Sequence, residues 1–401
     1  MLVAEDLGDL AFYLRFISSQ SYFKDWQDEW MEKAMTSTDS RFTRIVIVGG
    51  GVAALETMLA LRAIGEDRAI IQMFAPTENF IIRPLAVADA FGEGEILEFD
   101  LHEFALRSGA TFERRSVELV DTEQRRVLLQ GGTEISYDYL VLATGTKSLW
   151  VVPGAKTFWG PDGGEVISRV TSMLNSDTPS RVVLTTPDRS SWPIPIYEIA
   201  LNLAAEMKRH PGSAGQLVLV TPEKKPIEVF GEESTNTVTA LLEEAGVELI
   251  TGTSPIGFQD GQLITTGDPV PADEVITLPR LTGRHVAGIK YDRNGFIPVD
   301  GHGRIEDLER EYAAGDVCAY PIKFGGAATQ QADVVATAIA ADAWGKPAGP
   351  PFASEYKGTL LTTNGVVSLG KTDEDDAIEA WDPVHKIKGK YLTPALETER
   401  V

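Results

Sequence analysis

Arg44-Ile-Val-Ile-Val-Gly-Gly-Gly-Val-Ala-Ala-Leu-Glu56 decides the fold of this 401-residue chain. Ile45 to Val48 are β-branched throughout, the composition of a strand buried on both faces. Ala53, Ala54, Leu55, Met58, Leu59 and Leu61 then supply a helix that packs back onto that strand. Between the two, Gly49 allows a tight turn, Gly51 lets a pyrophosphate approach the backbone, and Ala54 permits close helix-to-strand contact. The helix amino terminus, with Val52 and Ala53 in its first turn, faces the phosphates of such a ligand. Glycines also end strands for purely structural reasons, so this turn alone is a weak signal.

Two later segments strengthen it. Tyr137-Asp-Tyr-Leu-Val-Leu-Ala-Thr-Gly145 is a second buried strand ending in a glycine turn, and Tyr312-Ala-Ala-Gly-Asp316 is a third, ahead of an Ala-rich helix that starts near Gly325. An aspartate at the end of a parallel strand sits on the ligand side of the sheet, within reach of a cofactor's polyol.

In their order, the three segments resemble the superfamily of FAD-dependent oxidoreductases with two dinucleotide-binding domains. The narrower resemblance, over about residues 43 to 395, is to the branch of sulfide:quinone reductases, flavocytochrome c sulfide dehydrogenases and type II NADH dehydrogenases. It implies that Gly49, Gly51 and Ala54 form the FAD pyrophosphate turn, that Ala143-Thr144-Gly145 ends a strand beside the cofactor, and that Gly315-Asp316 binds the ribityl chain. Tyr320-Pro-Ile-Lys-Phe-Gly-Gly-Ala-Ala-Thr-Gln-Gln-Ala-Asp333 resembles the flavin-ring segment. There Gly326 and Ala327 open a helix whose unpaired N–H groups and positive dipole end suit a reduced flavin. Lys323 adds a full charge to that position or is a surface lysine ahead of a helix. Gln330 or Gln331 faces the ring or an electron acceptor. The equivalent helix of type II NADH dehydrogenases borders a quinone site, which makes a quinone a candidate acceptor.

The expected fold is α/β, with two Rossmann-like nucleotide-binding domains, a small C-terminal region and an N-terminal helical arm. We place the arm and linker at residues 1–42, the FAD domain at 43–155 and 285–350, the second domain at 156–284 and the C-terminal region at 351–401. A ribose-binding carboxylate is expected about twenty residues past the glycines, but the strand Arg68 to Pro76 ends in Ala75-Pro76. Glu78 is the nearest acid. Arg83, in Phe80-Ile-Ile-Arg-Pro-Leu, resembles the segment that runs past the flavin in relatives.

The second domain departs from the pattern of NAD(P)H users. Arg181-Val-Val-Leu-Thr-Thr-Pro-Asp-Arg-Ser-Ser-Trp-Pro-Ile-Pro-Ile-Tyr-Glu198 has no glycine in its turn, and Pro187, Pro193 and Pro195 remove backbone donors. A standard nicotinamide site is not expected, although Gln216 to Pro222 and the helix Ser234 to Glu244, ending at Gly246, continue the βαβ pattern. With one cysteine, Cys318, the chain has no internal disulfide and no redox cysteine pair. Cys318 itself reads as a small side chain packed under the cofactor. The five histidines lack ligand spacing, so no metal site is expected.

A net charge of -23 argues against nucleic acid and anionic lipid as partners. No run approaches the roughly twenty apolar residues of a membrane span, and no signal-peptide pattern opens the chain, so a cytoplasmic protein, at most peripheral at a membrane, is expected. Residues Glu5 to Met35 carry apolar positions at helical spacing, the mark of an arm that either binds a protein partner or second subunit or packs on its own body. The reading is an FAD-dependent oxidoreductase with a small-molecule donor and acceptor. The alternatives are a flavin-binding relay subunit that docks a partner protein and an NADH dehydrogenase with a non-standard nicotinamide pocket.

Overall fold

A computed structural model describes residues 42–160, 163–188, 192–363, 365–370 and 383–399. The N-terminal arm to residue 41, the turn residues Arg189 to Ser191, the acidic loop Asp373 to Asp376 and Trp381 lie outside the described residues.

The quoted stretch folds as strand β1 (Thr43–Val48) and helix α1 (Val52–Gly65). Strands β2 (Ala69–Ala75), β3 (Thr111–Arg114) and β4 (Tyr139–Leu142) follow. β1 runs parallel to β2 on one side, with Val48 opposite Phe74, and parallel to β4 on the other, with Val48 opposite Leu142. Because β1 has neighbours on both edges, α1 over the face of Ile45 and Ile47, and the strands Val117–Asp121 and Arg126–Leu129 over the face of Val46 and Val48, Ile45, Val46 and Ile47 are buried to within 1%. That is why the run is apolar without alternation.

The chain leaves this sheet along Thr146–Leu149 and returns along Arg280–Gly283, the two segments pairing antiparallel. Between them lies a second parallel sheet built on β5 (Ser180–Thr185), helix α2 (Ile194–Arg209), β6 (Gly215–Val220), β7 (Glu248–Ile250) and β8 (Glu274–Thr277), edged by Lys156–Thr157. The helix Glu232–Ala245 ends at Gly246, which takes φ +77 as its C-cap. A side chain there is strained, as expected of a left-handed helix end.

After the return, β9 (Glu311–Ala313) completes the first sheet beside β4. Helix α3 (Gly325–Trp344) then packs along α1. The hairpin Gly358–Thr362 with Gly365–Leu369 covers the second domain, where Leu360 and Leu369 join the core of α2. The last helix, α4 (Leu392–Glu399), returns to the first domain, where Val384, Ile387, Leu392 and Leu396 are buried against α1. Topology thus puts the ends of β1, β4 and β9, the start of α2, the start of α3 and the C-terminal segment around one space.

Candidate functional site

That space is a cavity of about 950 Å³. At one end Gly49 stands at φ +142, where an added side chain would overlap the carbonyl oxygen of Ala143, just past β4. Its N–H donates to the Phe74 carbonyl at 2.8 Å, locking the turn between β1 and β2. Gly51 differs: a Cβ there would meet nothing within 4 Å, because the residue opens onto the cavity. Gly51 is the N-cap of α1, no side chain caps that terminus, and no acid occupies its first turn. The orphan N–H groups of Val52 and Ala53 therefore begin at the cavity wall, the arrangement that receives a pyrophosphate. Ala54 is fully buried behind them and lets α1 close on the sheet.

Beyond β2, Glu78 and Arg114 line the same end and form an exposed ion pair. Deeper in, the Arg83 guanidinium lies 5.9 Å from the centre of the Trp159 ring. Burial pushes its pKa down, the nearby Arg284 adds to the fall, and Asp316 opposes it. Arg284 is held by donating from Nε to the Thr146 carbonyl at 3.0 Å, and its own carbonyl accepts from the Thr144 hydroxyl at 3.2 Å. Ala143, Thr144 and Gly145 all reach the wall.

Gly315 and Asp316 follow β9. The Gly315 N–H donates to Gln331 Oε1 of α3 at 2.7 Å, with Gln331 buried. Asp316 lines the cavity and, among the described residues, its carboxylate makes no hydrogen bond. Burial raises its pKa, while Lys323 and Arg83 pull it back. Lys323 is buried on the wall; its Nζ donates to the Cys318 carbonyl and sits 4.0 Å from the centre of the Phe296 ring. Burial lowers the Lys323 pKa to about 8, against the opposing pull of Asp316. Cys318 is fully buried in a core cluster, and burial pushes its thiol up to about 12, so it packs rather than reacts.

Gly326 lines the cavity; Ala327 is buried just off it. Gln330 departs from expectation. It is off the cavity wall, with its amide bonded in both directions to the Glu355 backbone, at 3.3 Å as donor and 3.1 Å as acceptor. The reason is helical phase: of two adjacent glutamines on α3, only Gln331 turns toward β9. The glutamine of this pair that serves the cavity does so indirectly, by holding Gly315.

The opposite end of the cavity is built by the second domain and the C-terminal segment. Trp192 lies parallel to Phe324, with ring centres 4.3 Å apart and planes 4° apart, and edge-on to Phe230 at 5.4 Å. Glu198 of α2 and Lys386 form a buried ion pair, Nζ to Oε1 at 2.5 Å, on the same wall. The Leu361 N–H also donates to Glu198 at 2.7 Å, and Lys386 donates to the Thr359 carbonyl at 3.1 Å. Sequence reasoning missed Glu198 and Lys386. The signal for the first was a single acid inside the apolar helical run Ile194 to Leu203; Lys386 carried none.

Behind α2, Tyr197 is buried, and its hydroxyl donates to Glu223 Oε2 at 2.6 Å. The Thr221 hydroxyl reaches the same oxygen at 3.1 Å. Glu223 stands just past β6, where a dinucleotide-binding domain places its ribose acid. Burial raises its pKa.

The donor set fits FAD: a glycine turn open to an uncapped helix start, the Asp316 carboxylate on the cavity wall, and a second helix start at Phe324, also uncapped. Fold and cavity define a protein of two Rossmann-like domains with a cradle that fits FAD. The chain belongs to the pyridine nucleotide-disulphide oxidoreductase family, whose pattern it matches over residues 43–185 and 198–341. It is similar to rhodocoxin reductase of Rhodococcus erythropolis, 27% identical over 301 residues. That match covers 69% of this chain and 65% of the relative's length, just under two thirds. It is also similar to the ferredoxin reductase component of chlorobenzene dioxygenase from a Cupriavidus species, 26% identical over 365 residues and 80% of each chain. Among solved structures, the sulfide:quinone oxidoreductase of Aquifex aeolicus shares the fold with a TM-score of 0.70 at 20% identity, over 89% of this chain and 90% of that one. No described helix is long and apolar enough to cross a membrane.

Proposed function

We propose that this oxidoreductase takes an electron pair from a donor other than a nicotinamide dinucleotide and passes it to a separate, small planar acceptor such as a quinone. The observation that carries this reading is the Tyr197–Glu223 bond. The acid positioned for a nucleotide ribose already has a protein donor, and the start of α2 presents Pro193 and Pro195 where a pyrophosphate would need N–H groups. The flat Trp192–Phe324 wall favours a planar reactant at the other end of the cavity.

In this reading FAD supplies two-electron chemistry when bound. Val52 and Ala53 donate their N–H groups to its pyrophosphate, Asp316 accepts from its polyol, and Arg83 and Lys323 supply positive charge along the wall. Glu78 is engaged by Arg114 and holds the outer loop. The Glu198–Lys386 pair closes the ring end against water and keeps a cation there.

An anaerobic absorption spectrum of the FAD-loaded protein tests the reading. NADH should leave the flavin bands unchanged, and a water-soluble quinone should reoxidise protein first reduced with dithionite. Rapid bleaching by NADH would overturn the donor assignment. A second reading, with a ferredoxin-type protein as acceptor, is favoured by the similarity to the dioxygenase ferredoxin reductase component. Reoxidation by a ferredoxin with none by the quinone would select it.

A further inference from the structure

Outside the cavity, the first domain holds a pair of acids, Glu56 buried and Asp333 half-buried, that the proposed electron transfer does not use. Glu56 lies on the inward face of α1, fully buried. Its two oxygens accept the N–H groups of Tyr391 at 2.9 Å and Leu392 at 2.7 Å, so this glutamate caps the helix α4 of another part of the chain. Asp333 of α3 faces the same carboxylate, and its Oδ1 is buried with no partner. Two carboxyls that meet away from water cannot both ionise without strong repulsion; one proton between them turns the repulsion into a hydrogen bond.

The groups facing the pair are few. From the C-terminal segment comes Lys390, exposed, its Nζ 4.8 Å from the centre of the Tyr391 ring. From α3 comes the Thr329 hydroxyl, which donates to the carbonyls of Gly326 and Lys388. The segment carries three further charged contacts: Lys386 with the buried Glu198 on the cavity wall and, at its exposed rim, His385 with Glu397 at 2.6 Å and Arg107 with Glu399. Burial and the facing Glu56 push Asp333 up to about 7, with Lys390 opposing. Burial also raises Glu56, which its backbone donors counter.

We propose that Glu56 and Asp333 form a proton-operated latch on the C-terminal segment. With a proton on Asp333, Glu56 is free to cap Tyr391 and Leu392, and residues 383–399 are held on α1 and α3. Without it, the doubled charge opens the turn at Gly389 to Leu392 more often. Val384, Ile387, Leu392 and Leu396 stay seated on the core, so the segment loosens rather than departs. The same segment places Lys386 and Lys388 on the cavity wall, so the latch sets how firmly the ring end is closed.

The sign follows from linkage. A carboxyl that binds its proton more tightly in the latched form favours latching at low pH, and the preference is lost as pH rises to about 7, levelling off above that. Hydrogen exchange of peptides covering 383–399, measured on the FAD-loaded protein and corrected for intrinsic rates, should show protection about tenfold or more stronger at pH 5.5 than at pH 8. In Asp333→Asn, which keeps a donor but does not titrate, protection should be flat across that range. Wild-type protection that does not change with pH, or an Asp333→Asn profile that follows the wild type, would overturn the latch. Should that variant not fold, Glu56→Gln replaces it: the transition should move to acid by more than one pH unit, and an unmoved midpoint would overturn the latch equally.

Discussion

Glu198 and Lys386 meet on one wall of the cavity from separate parts of the fold, one on the second domain's helix and the other on the C-terminal segment, with side chains 1% and 7% exposed. Their 2.5 Å contact joins the second domain to a segment whose apolar side chains are seated on the first. Removing one partner leaves a buried charge uncompensated. Lys386→Met should therefore lower stability by about 3–5 kcal/mol, read by chemical denaturation of the FAD-loaded protein. A loss under about 1 kcal/mol would mean that the pair is solvated in solution.

The two glycines of the first turn should respond in opposite ways. Gly49→Ala forces a side chain into the Ala143 carbonyl at a positive φ, and the protein should lose several kcal/mol of stability or fail to fold. Gly51→Val adds atoms only to open space at the cavity, with an extended backbone that any residue adopts. It should keep the melting temperature of the apoprotein while weakening FAD binding about tenfold or more, which is about 1.4 kcal/mol. Titration of the apoprotein with FAD, read by flavin fluorescence, checks this.

Gln331→Leu removes the acceptor of the Gly315 N–H and leaves that donor buried without a partner. The expected loss is about 1–3 kcal/mol, accompanied by faster FAD release, because Gly315 sets the position of Asp316. The neighbouring Gln330→Leu breaks only contacts with the Glu355 backbone, so its FAD release should match the wild type.

Lys323→Met withdraws a positive charge from the cavity wall and should lower the flavin reduction potential, each 30 mV or so corresponding to a tenfold loss in preference for the reduced form. Burial holds the Lys323 pKa at about 8, so its charge is present below that pH and is lost above it. The wild-type potential should accordingly converge on that of the variant as pH rises past 8. Equal potentials at pH 6.5 would remove Lys323 from any electrostatic role.

The two glycine turns, the strand that leads to Asp316 and the parallel sheet were legible because each is written in contiguous residues. The apolar run Ile45 to Val48 has one physical solution, a strand covered on both faces, and Gly49 to Gly51 have one use at its end. Adjacent glutamines could not be told apart in the same way. Gln330 and Gln331 differ only by the 100° step of the helix, and which one meets Gly315 depends on how α3 lies against β9.

By itself, then, the sequence determined the architecture of two Rossmann-like domains, the cradle for FAD and the absence of a cysteine pair, all properties of local pattern or of counting. Tertiary structure alone decided that Lys386 closes on Glu198, that Tyr197 donates to Glu223 and that Asp333 meets Glu56 beneath a distant helix start. These contacts join residues 26 to 277 positions apart or lie across three elements at once, and no periodicity marks such partners. What selects them is burial. Once the two sheets and the C-terminal segment close on one another, each carboxylate taken from water must find a donor or a proton, and only the folded arrangement says which is within reach.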